Sequence, residues 1–471
     1  MFDFESDEHA DGDRSDDLIE AYEAHLREGG AAFFDVDDLE HIAATYFETG
    51  RLADALDVVD VQIERSPGSS DPWMRRGVLL NHLDRHEEAL EAYDKALALN
   101  PVDAETLVNR GITLDTLGRS EDALADFEQA LVYDPLASDA LFNQAIALEK
   151  LDRYGDAATV LEACADIDAE HPEVWYELGF CYDQLDRLDD SVVAYDQQIE
   201  VDPYAQNAWY NRGIVLNRLG RYEEAVSSYD FAVAIDDGFT SAWYNRGNAL
   251  ANVGDAQGAA DSYLKVLEHE DGDAATFYNL GLAYDDLGDY AAAVDYFRRA
   301  VADDADYADA WYGMGCALDG QGLYNEALAA FARAIALAPE EGEYWHARAD
   351  TEYNAGRLAE ALRAYTHVVR LDPQNKDAWL DLAETRLEAG HRAEALDAFS
   401  QVVRLDPTSS EAHLRQAWAL ASVGQRESAV RSFRRAAELD PSRAEEIRRA
   451  YPDLMSGPSG LGRGTAGDER T

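Results

Sequence analysis

The prolines of this 471-residue chain fall on a single 34-residue grid over most of its length. A fixed period of this size is typical of a repeat architecture, in which one structural unit stacks on the next. The grid prolines are Pro67, Pro101, Pro135, Pro203, Pro339, Pro373, Pro407 and Pro441, and the grid points without proline are Ala169, Asp237, Asp271 and Ala305. Units that start just after the proline begin at 36, 70, 104, 138, 172, 206, 240, 274, 308, 342, 376 and 410. The spacing therefore predicts twelve repeats without an insertion or a deletion.

Other columns of the repeat follow the same spacing. The fourth place holds tryptophan in seven repeats, and the eighth is always small. The fifteenth is usually glycine, the twentieth is almost always alanine, and the twenty-fourth is a large apolar residue, mostly aromatic. Places four, seven, eight and eleven share one face of a first helix, and places seventeen, twenty, twenty-four and twenty-seven share one face of a second. Glycine near place fifteen suits a helix end. Each unit is therefore predicted to be a helical hairpin that buries its apolar faces by stacking on its neighbours.

These columns, closed by proline every 34 residues, resemble the tetratricopeptide repeat over residues 36–443. The resemblance implies an all-α fold, a right-handed superhelical solenoid of about twelve helix-turn-helix repeats with a concave groove. The tryptophans, such as Trp209 and Trp243, are expected to fill the interior. Arg212 and Arg246 stand at place seven, where the family usually has leucine, so we expect them to carry their charge out of the core. The pentatricopeptide relatives that read RNA have a different period and basic grooves, so this chain does not fit them.

The segments outside the repeats are short. Residues 1–35 form an acidic N-terminal segment, in which 15–26 is expected to be a capping helix that begins at Ser15. Residues 444–455 are expected to form a C-terminal capping helix, and the Gly- and Ser-rich residues 456–471 a disordered tail. Repeats six to eight lack the closing proline, so their turns are either looser than the others or closed by different residues.

The net charge limits the partners that this chain can bind. It is −56, from 95 acidic residues against 39 Lys and Arg. Nucleic acid binding requires basic patches that displace counterions from phosphates, and acidic membrane surfaces would repel the chain. We therefore expect other proteins or peptides as partners, with basic or neutral segments favoured, and neither nucleic acid nor membrane. The acid excess is similar to that of halophile proteins, whose acidic surfaces maintain solubility in strong salt. No signal peptide and no apolar run of ~18 residues is present, so a cytoplasmic location is expected.

The sequence lacks the motifs that concentrate reactive groups. The eleven histidines are scattered without an HExxH motif, and neither a G-x-S-x-G sequence nor a phosphate-binding loop occurs. Cys164, Cys181 and Cys316 have no CxxC spacing and are interpreted as structural thiols. The acidic cluster at 183–190 falls in a hairpin turn and a helix start, where acid is favoured, and lacks the spacing of an EF-hand loop. We therefore predict a protein that is not an enzyme and that has no cofactor and no metal.

The first helix of each hairpin lines the concave groove in the tetratricopeptide family, which directs attention to places two, five and six. Place five is tyrosine in five successive repeats, and place six is asparagine in five repeats. Place two, acidic in nine repeats, is neutral in repeats six to eight. Tyrosine offers rigid amphipathic area, and asparagine offers donors and an acceptor to the main chain of an extended peptide. The predicted peptide-binding strip comprises Tyr176, Tyr210, Asn211, Tyr244, Asn245, Asn248, Tyr278, Asn279 and Tyr312. Its asparagines resemble the asparagine ladder of O-GlcNAc transferases, although no transferase domain accompanies them.

The expected function is a non-catalytic scaffold or adaptor that holds segments of partner proteins in the groove. Two alternatives are open. One is an accessory subunit that presents substrate peptides to a glycosyl- or other group-transferring enzyme; the other is a structural protein that self-associates through its open repeat ends. The sequence Trp-Tyr-Asn is also common in ordinary repeats of the family, so a partner bound elsewhere than at the strip is a further alternative. A clamp for a C-terminal carboxylate is not expected, because the corresponding columns hold Tyr, Asn, Ile and acids instead of Lys and Arg.

Overall fold

The computed structural model describes residues 12–28 and 34–442. These residues contain 25 helices and no strand. The chain folds into two compact units, Met1–Asp236 and Asp237–Thr471. A first helix, α1 (Gly12–Glu28), is followed by 24 helices that pair into hairpins, six in each unit. The structure therefore confirms the all-α repeat fold. The predicted C-terminal capping helix at 444–455 and the tail at 456–471 lie outside the described residues.

The helices have similar lengths in every repeat. In the first unit the first helices are α2 (Val36–Glu48), α4 (Asp71–His82), α6 (Ala104–Thr116), α8 (Ser138–Lys150), α10 (Val174–Gln184) and α12 (Gln206–Arg218). Their second helices are α3 (Leu52–Arg65), α5 (His86–Leu99), α7 (Ser120–Tyr133), α9 (Tyr154–Ile167), α11 (Leu188–Val201) and α13 (Tyr222–Ile235).

The second unit repeats the same arrangement. Its first helices are α14 (Thr240–Asn252), α16 (Ala274–Asp286), α18 (Ala308–Gly320), α20 (Gly342–Asn354), α22 (Lys376–Glu388) and α24 (Ser410–Ser422). Its second helices are α15 (Ala256–His269), α17 (Tyr290–Asp303), α19 (Tyr324–Leu337), α21 (Leu358–Leu371), α23 (Arg392–Leu405) and α25 (Arg426–Leu439). No helix in the described part of the chain is both long and apolar enough to cross a membrane.

A residue in the left-handed conformation closes the first helix of each hairpin. Nine of these residues are glycines, such as Gly220 with φ of 71°, and the other three are Asp84, Asp152 and Asp186 with φ of 57–58°. Glycine adopts this conformation without a steric penalty, and aspartate tolerates it better than most residues. The second helix then starts two residues later, as Tyr222 does after Gly220. The helix end predicted at place fifteen is therefore confirmed.

The small residue at place eight lies against the aromatic residue at place twenty-four of the same repeat. A Cβ atom added to Gly213 would lie 2.6 Å from the ring of Tyr229, and one added to Gly247 would lie 2.5 Å from the ring of Tyr263. Both tyrosines are buried, with 0% and 2% of their surface exposed. A Cβ atom cannot approach a ring so closely. In these two repeats, the position of the ring at place twenty-four therefore depends on glycine at place eight.

The prediction that the place-four tryptophans fill the interior is wrong, because Trp209 and Trp243 are only partly buried. Each indole instead holds the turn that precedes its helix. The Nε1–H of Trp209 donates to the carbonyl oxygen of Pro203 at 3.1 Å, and that of Trp243 donates to the carbonyl oxygen of Asp237 at 2.9 Å. An indole N–H that leaves water needs such an acceptor. The bond to Asp237 also shows that this turn is closed without proline.

Candidate protein-interaction surface

The structure places every residue of the predicted strip on a first helix, partly buried. The first unit contributes Tyr176 on α10 and Tyr210 and Asn211 on α12; the second contributes Tyr244, Asn245 and Asn248 on α14, Tyr278 and Asn279 on α16, and Tyr312 on α18. Each of these residues is therefore partly exposed to solvent and partly packed against the protein.

Each of the five strip tyrosines packs against the aromatic residue at place twenty-four of its own repeat. The ring centroids are 5.8–6.0 Å apart in the pairs Tyr176–Tyr195, Tyr210–Tyr229, Tyr244–Tyr263, Tyr278–Phe297 and Tyr312–Phe331. A ring held in this way loses little conformational freedom when a ligand contacts it. The five tyrosine rings are therefore held in place by the fold.

Asparagine and tyrosine side chains of successive repeats are joined by hydrogen bonds. In the first unit Nδ2 of Asn211 donates to the hydroxyl of Tyr176 at 2.9 Å. In the second unit Nδ2 of Asn279 donates to the hydroxyl of Tyr244 at 3.0 Å. A hydroxyl that accepts a bond keeps its own proton to donate, and the amide keeps its carbonyl oxygen as an acceptor. Asn211 also forms a hydrogen bond with Tyr195, and Tyr244 with Asn248. The hydrogen-bonding capacity that remains on each pair is of the kind that a peptide main chain can use.

The side-chain oxygens of two other strip residues, Asn248 and Tyr312, form hydrogen bonds within the protein. Oδ1 of Asn248 accepts from the hydroxyl of Tyr263 at 2.8 Å and from Nδ2 of Asn279 at 3.4 Å. The hydroxyl of Tyr312 donates to Oε1 of Glu343 at 2.9 Å. Since these polar atoms already have partners, a ligand would contact Tyr312 chiefly through its ring.

A pair of carboxyl groups that sequence reasoning missed lies beside the strip in the first unit. Glu177 occupies place six, where five other repeats have asparagine, and forms a hydrogen bond with Glu149 of the preceding repeat. Burial raises the pKa of Glu177 to about 7, and the negative charges of Glu149 and Glu173 add to the effect. Burial also raises the pKa of Glu149, whose Oε1 accepts from the thiol of Cys181 at 3.2 Å. This part of the surface therefore gains negative charge as the pH rises through neutrality.

Replacing Glu177 by glutamine is expected to make the stability of the protein less dependent on pH. The raised pKa means that the folded state holds this proton more tightly than the unfolded chain. Its stabilising effect is therefore complete below the unfolded pKa of 4.5 and is lost as the pH rises through about 7. Between about pH 4 and pH 8 the free energy of unfolding should fall by about 2–3 kcal/mol more in the wild type than in the variant. Urea denaturation followed by circular dichroism measures the difference, with Glu223→Gln at an exposed carboxylate as control; equal slopes in the wild type and Glu177→Gln would contradict it.

The place-seven arginines form hydrogen bonds with side chains of the protein. Nε of Arg212 donates to Oδ1 of Asp196 at 2.6 Å, and its Nη1 donates to Oγ of Ser228 at 2.7 Å. Nη1 of Arg246 likewise donates to Oγ of Ser262 at 2.6 Å. Only 16% of the Arg212 side chain is exposed, but the Asp196 side chain that it reaches is 46% exposed, so the guanidinium meets its partner at the edge of the core. Asp196 and Ser228 lie sixteen residues before and after Arg212, and this spacing is the sequence signal that identifies the pair.

One group of side chains has the composition of a metal site, although sequence analysis predicted none. Nε2 of His346 lies 2.9 Å from Oδ2 of Asp381, and its Nδ1 lies 3.5 Å from Oδ2 of Asp350. The hydrogen bond with Asp381 is the main cause of a raised His346 pKa, and the hydroxyl of Tyr365 donates to Asp350 at 2.5 Å. A protonated imidazole between two carboxylates accounts for this geometry without an ion, because both ring nitrogens then donate.

Comparison with family models identifies the repeats along most of the chain. Models described as tetratricopeptide repeat match residues 70–103, 108–172, 148–210, 206–238, 278–342, 312–376, 346–410 and 380–444. Together these matches cover more than half of the chain. The comparison with curated proteins found no significant match.

Solved structures with similar architecture cover different lengths of the chain. YrrB, a tetratricopeptide repeat protein with an unusual peptide-binding site, is 24% identical over 40% of this chain and 96% of its own, with a TM-score of 0.36. The Cut9–Hcn1 complex of the APC/C is 14% identical over 87% of this chain and 93% of its own, with a TM-score of 0.41. Yeast Tom70 is 16% identical over 87% of this chain and 98% of its own, with a TM-score of 0.34. The family assignment rests on the family models and on the hairpins themselves.

Proposed function

The chain belongs to the tetratricopeptide repeat family, and we propose that it is a non-catalytic scaffold that holds extended segments of partner proteins. The observation that supports this most is the bond from asparagine to tyrosine between successive repeats, Asn211 to Tyr176 in one unit and Asn279 to Tyr244 in the other. Each such bond holds an amide beside a fixed aromatic ring, and the two side chains together retain hydrogen-bonding capacity for a ligand. Main-chain groups of an extended peptide fit this arrangement irrespective of sequence, and the rings add apolar contact area.

The charge of the chain favours basic or neutral partner segments. A net charge of −56 attracts basic segments and repels acidic ones, and this effect weakens as salt concentration rises. Neither nucleic acid nor an acidic membrane is proposed as a partner, for the same reason. A cytoplasmic location and a high-salt environment remain predictions from the sequence and its composition.

Removing the strip asparagines is expected to weaken partner binding. In the variant Asn211→Ala/Asn245→Ala/Asn279→Ala, loss of side-chain hydrogen bonds of about 1 kcal/mol each should reduce binding about ten-fold or more. The tagged wild type and variant are used for affinity purification from a lysate of the source cells at their own salt concentration, and partner yields are compared by quantitative mass spectrometry.

A matched variant separates loss of the strip from general damage. Ser227→Ala/Gln257→Ala/Asn325→Ala removes three exposed polar side chains from second helices and should retain the partners in full. Thermal melting must show that both triple variants remain folded. The same partners returning in equal yield with the strip variant would show that the strip is not the binding site.

A further inference from the structure

A cavity of about 410 Å³ lies in the first four hairpins, away from the predicted strip. It is lined by Phe47, Met74, Val78, His82, Glu105, Asn109 and Asp139. All seven residues come from the first helices α2, α4, α6 and α8, the same half of each hairpin that carries the strip. The volume is within the range of about 300–1,000 Å³ that is typical of ligand clefts.

The floor of this cavity is apolar and adaptable. Phe47, Met74 and Val78 are partly buried, and the ring of His82 packs edge-on against Phe47 with 5.2 Å between centroids. Methionine has an unbranched, polarisable side chain that adjusts to the shape of a ligand. An apolar side chain of a partner would therefore remove this floor from water, which is the main source of favourable binding energy in such clefts.

The rim of the cavity carries negative charge. Asp139 and Glu105 are exposed in the first turns of α8 and α6. The carboxylate of Asp139 forms no hydrogen bond or ion pair with any residue of 12–28 or 34–442, and the same is true of the Asn109 side-chain amide. The nearby cation Arg75 is already paired with Glu40.

Two acids on first helices of the same unit differ from Asp139, because they have cationic partners inside the protein. Asp115 of α6 pairs with Lys150 at 2.6 Å, and Asp183 of α10 pairs with Arg218. The contrast indicates that Asp139 at the cavity rim is available to a cation from outside. An acidic segment would be repelled from the same rim.

We propose that this cavity binds a partner segment in which an apolar side chain is next to an arginine or a lysine. The apolar side chain lies on Phe47, Met74 and Val78, the cation reaches Asp139 and Glu105, and Asn109 bonds the main chain. The inference rests on the proposed scaffold function and names the chemistry of one partner segment. The cavity would bind a specific pair of side chains, whereas the strip is proposed to form hydrogen bonds with main-chain groups of any sequence.

The test uses the full-length protein and a peptide array. The array presents ten-residue peptides in a Gly-Ser frame, with three central positions drawn from Leu, Phe, Arg, Lys, Glu and Ser. Fluorescently labelled protein should be retained by peptides that combine an apolar residue with a neighbouring Arg or Lys, and should be lost when Glu replaces the cation. Equal retention by peptides with and without the Arg or Lys residue would overturn the proposal.

The strongest peptide is then titrated by fluorescence anisotropy against two variants of equal charge. Glu105→Gln/Asp139→Asn removes the rim carboxylates, and Glu87→Gln/Glu121→Gln removes two exposed carboxylates from the second helices α5 and α7. The rim variant should raise the Kd about ten-fold, and the control less than about two-fold. Equal Kd values for the two variants would overturn the proposal. All four positions are exposed, so both variants should melt within about 2 °C of the wild type.

The outcomes separate this proposal from the scaffold function. Peptide binding that is lost in Asn211→Ala/Asn245→Ala/Asn279→Ala but unchanged in the rim variant leaves the scaffold function standing and overturns the cavity proposal. Failure of the wild type to retain any array peptide, together with failure to retain a partner in the affinity purification, overturns both. Self-association that the rim variant abolishes would assign the cavity to a second copy of the chain and would also contradict the proposal.

Discussion

Replacing Phe297 by alanine is expected to lower the free energy of unfolding by about 3–5 kcal/mol, the usual cost of removing a buried aromatic side chain. Phe297 is 0% exposed. Its ring lies between two glycines of successive repeats, since an added Cβ would be 2.6 Å away at Gly281 and 2.7 Å away at Gly313. Neither glycine has a side chain that can move into the space, so the cavity stays largely unfilled.

Guanidinium denaturation followed by circular dichroism measures this loss in the full chain. Because repeat arrays can unfold in segments, the denaturation curve has no single midpoint. The step of the curve that the substitution shifts is therefore compared between the variants. Tyr204→Ala removes an aromatic residue that is 79% exposed and should change the stability by less than about 0.5 kcal/mol. Similar effects of the two substitutions would contradict the assignment of place twenty-four as the structural core.

Replacing Arg110 by methionine is expected to cost about 3 kcal/mol, because the change leaves a buried carboxylate without its partner. Nε and Nη2 of Arg110 donate to the two carboxylate oxygens of Asp126, both at 2.7 Å, and Nη1 donates to Asp94 at 2.6 Å. Asp126 is 5% exposed. Methionine preserves much of the length and apolar contact of the arginine stem, so the loss reports mainly on the charge.

Two further variants make this test specific. Arg119→Met breaks the pair of Arg119 with Asp122, in which both side chains are more than half exposed, and should cost less than about 1 kcal/mol. Arg110→Met/Asp126→Leu removes both buried charges and should recover most of the stability lost in the single variant. No recovery in the double variant would show that Arg110 acts through packing instead of through its charge.

The fold could be predicted from the repeat pattern because the features that indicate it lie within single hairpins. Gly220 closes a helix through its own backbone conformation, and the Gly213 and Tyr229 columns meet within one hairpin. Because these features recur at a fixed place in every unit, the amino-acid pattern alone is enough to recognise them. Asp84, Asp152 and Asp186 show that the backbone conformation is retained where glycine is replaced.

The contacts that define the candidate surface were not predictable in the same way, because they join different repeats. Asn211 and Tyr176 were recognised as columns, but their hydrogen bond spans one period plus one residue and depends on how hairpins stack. The Arg212–Asp196 pair similarly joins consecutive repeats. The cavity around Met74 and Asp139 combines four repeats, and its residues come from six different columns, of which only place two contributes twice, so their proximity depends on how the hairpins stack.

The central claim is that partner segments lie along the first helices, and site-specific photo-cross-linking tests it most directly. The photoreactive residue p-benzoylphenylalanine is placed at Asn207 on α12 or Ser241 on α14, and for comparison at Ser227 on α13 or Gln257 on α15; all four positions are exposed. Irradiation of the complex with a partner from the affinity purification should give covalent adducts from positions 207 and 241 and little from positions 227 and 257. Adducts that form mainly from the second-helix positions would contradict the account.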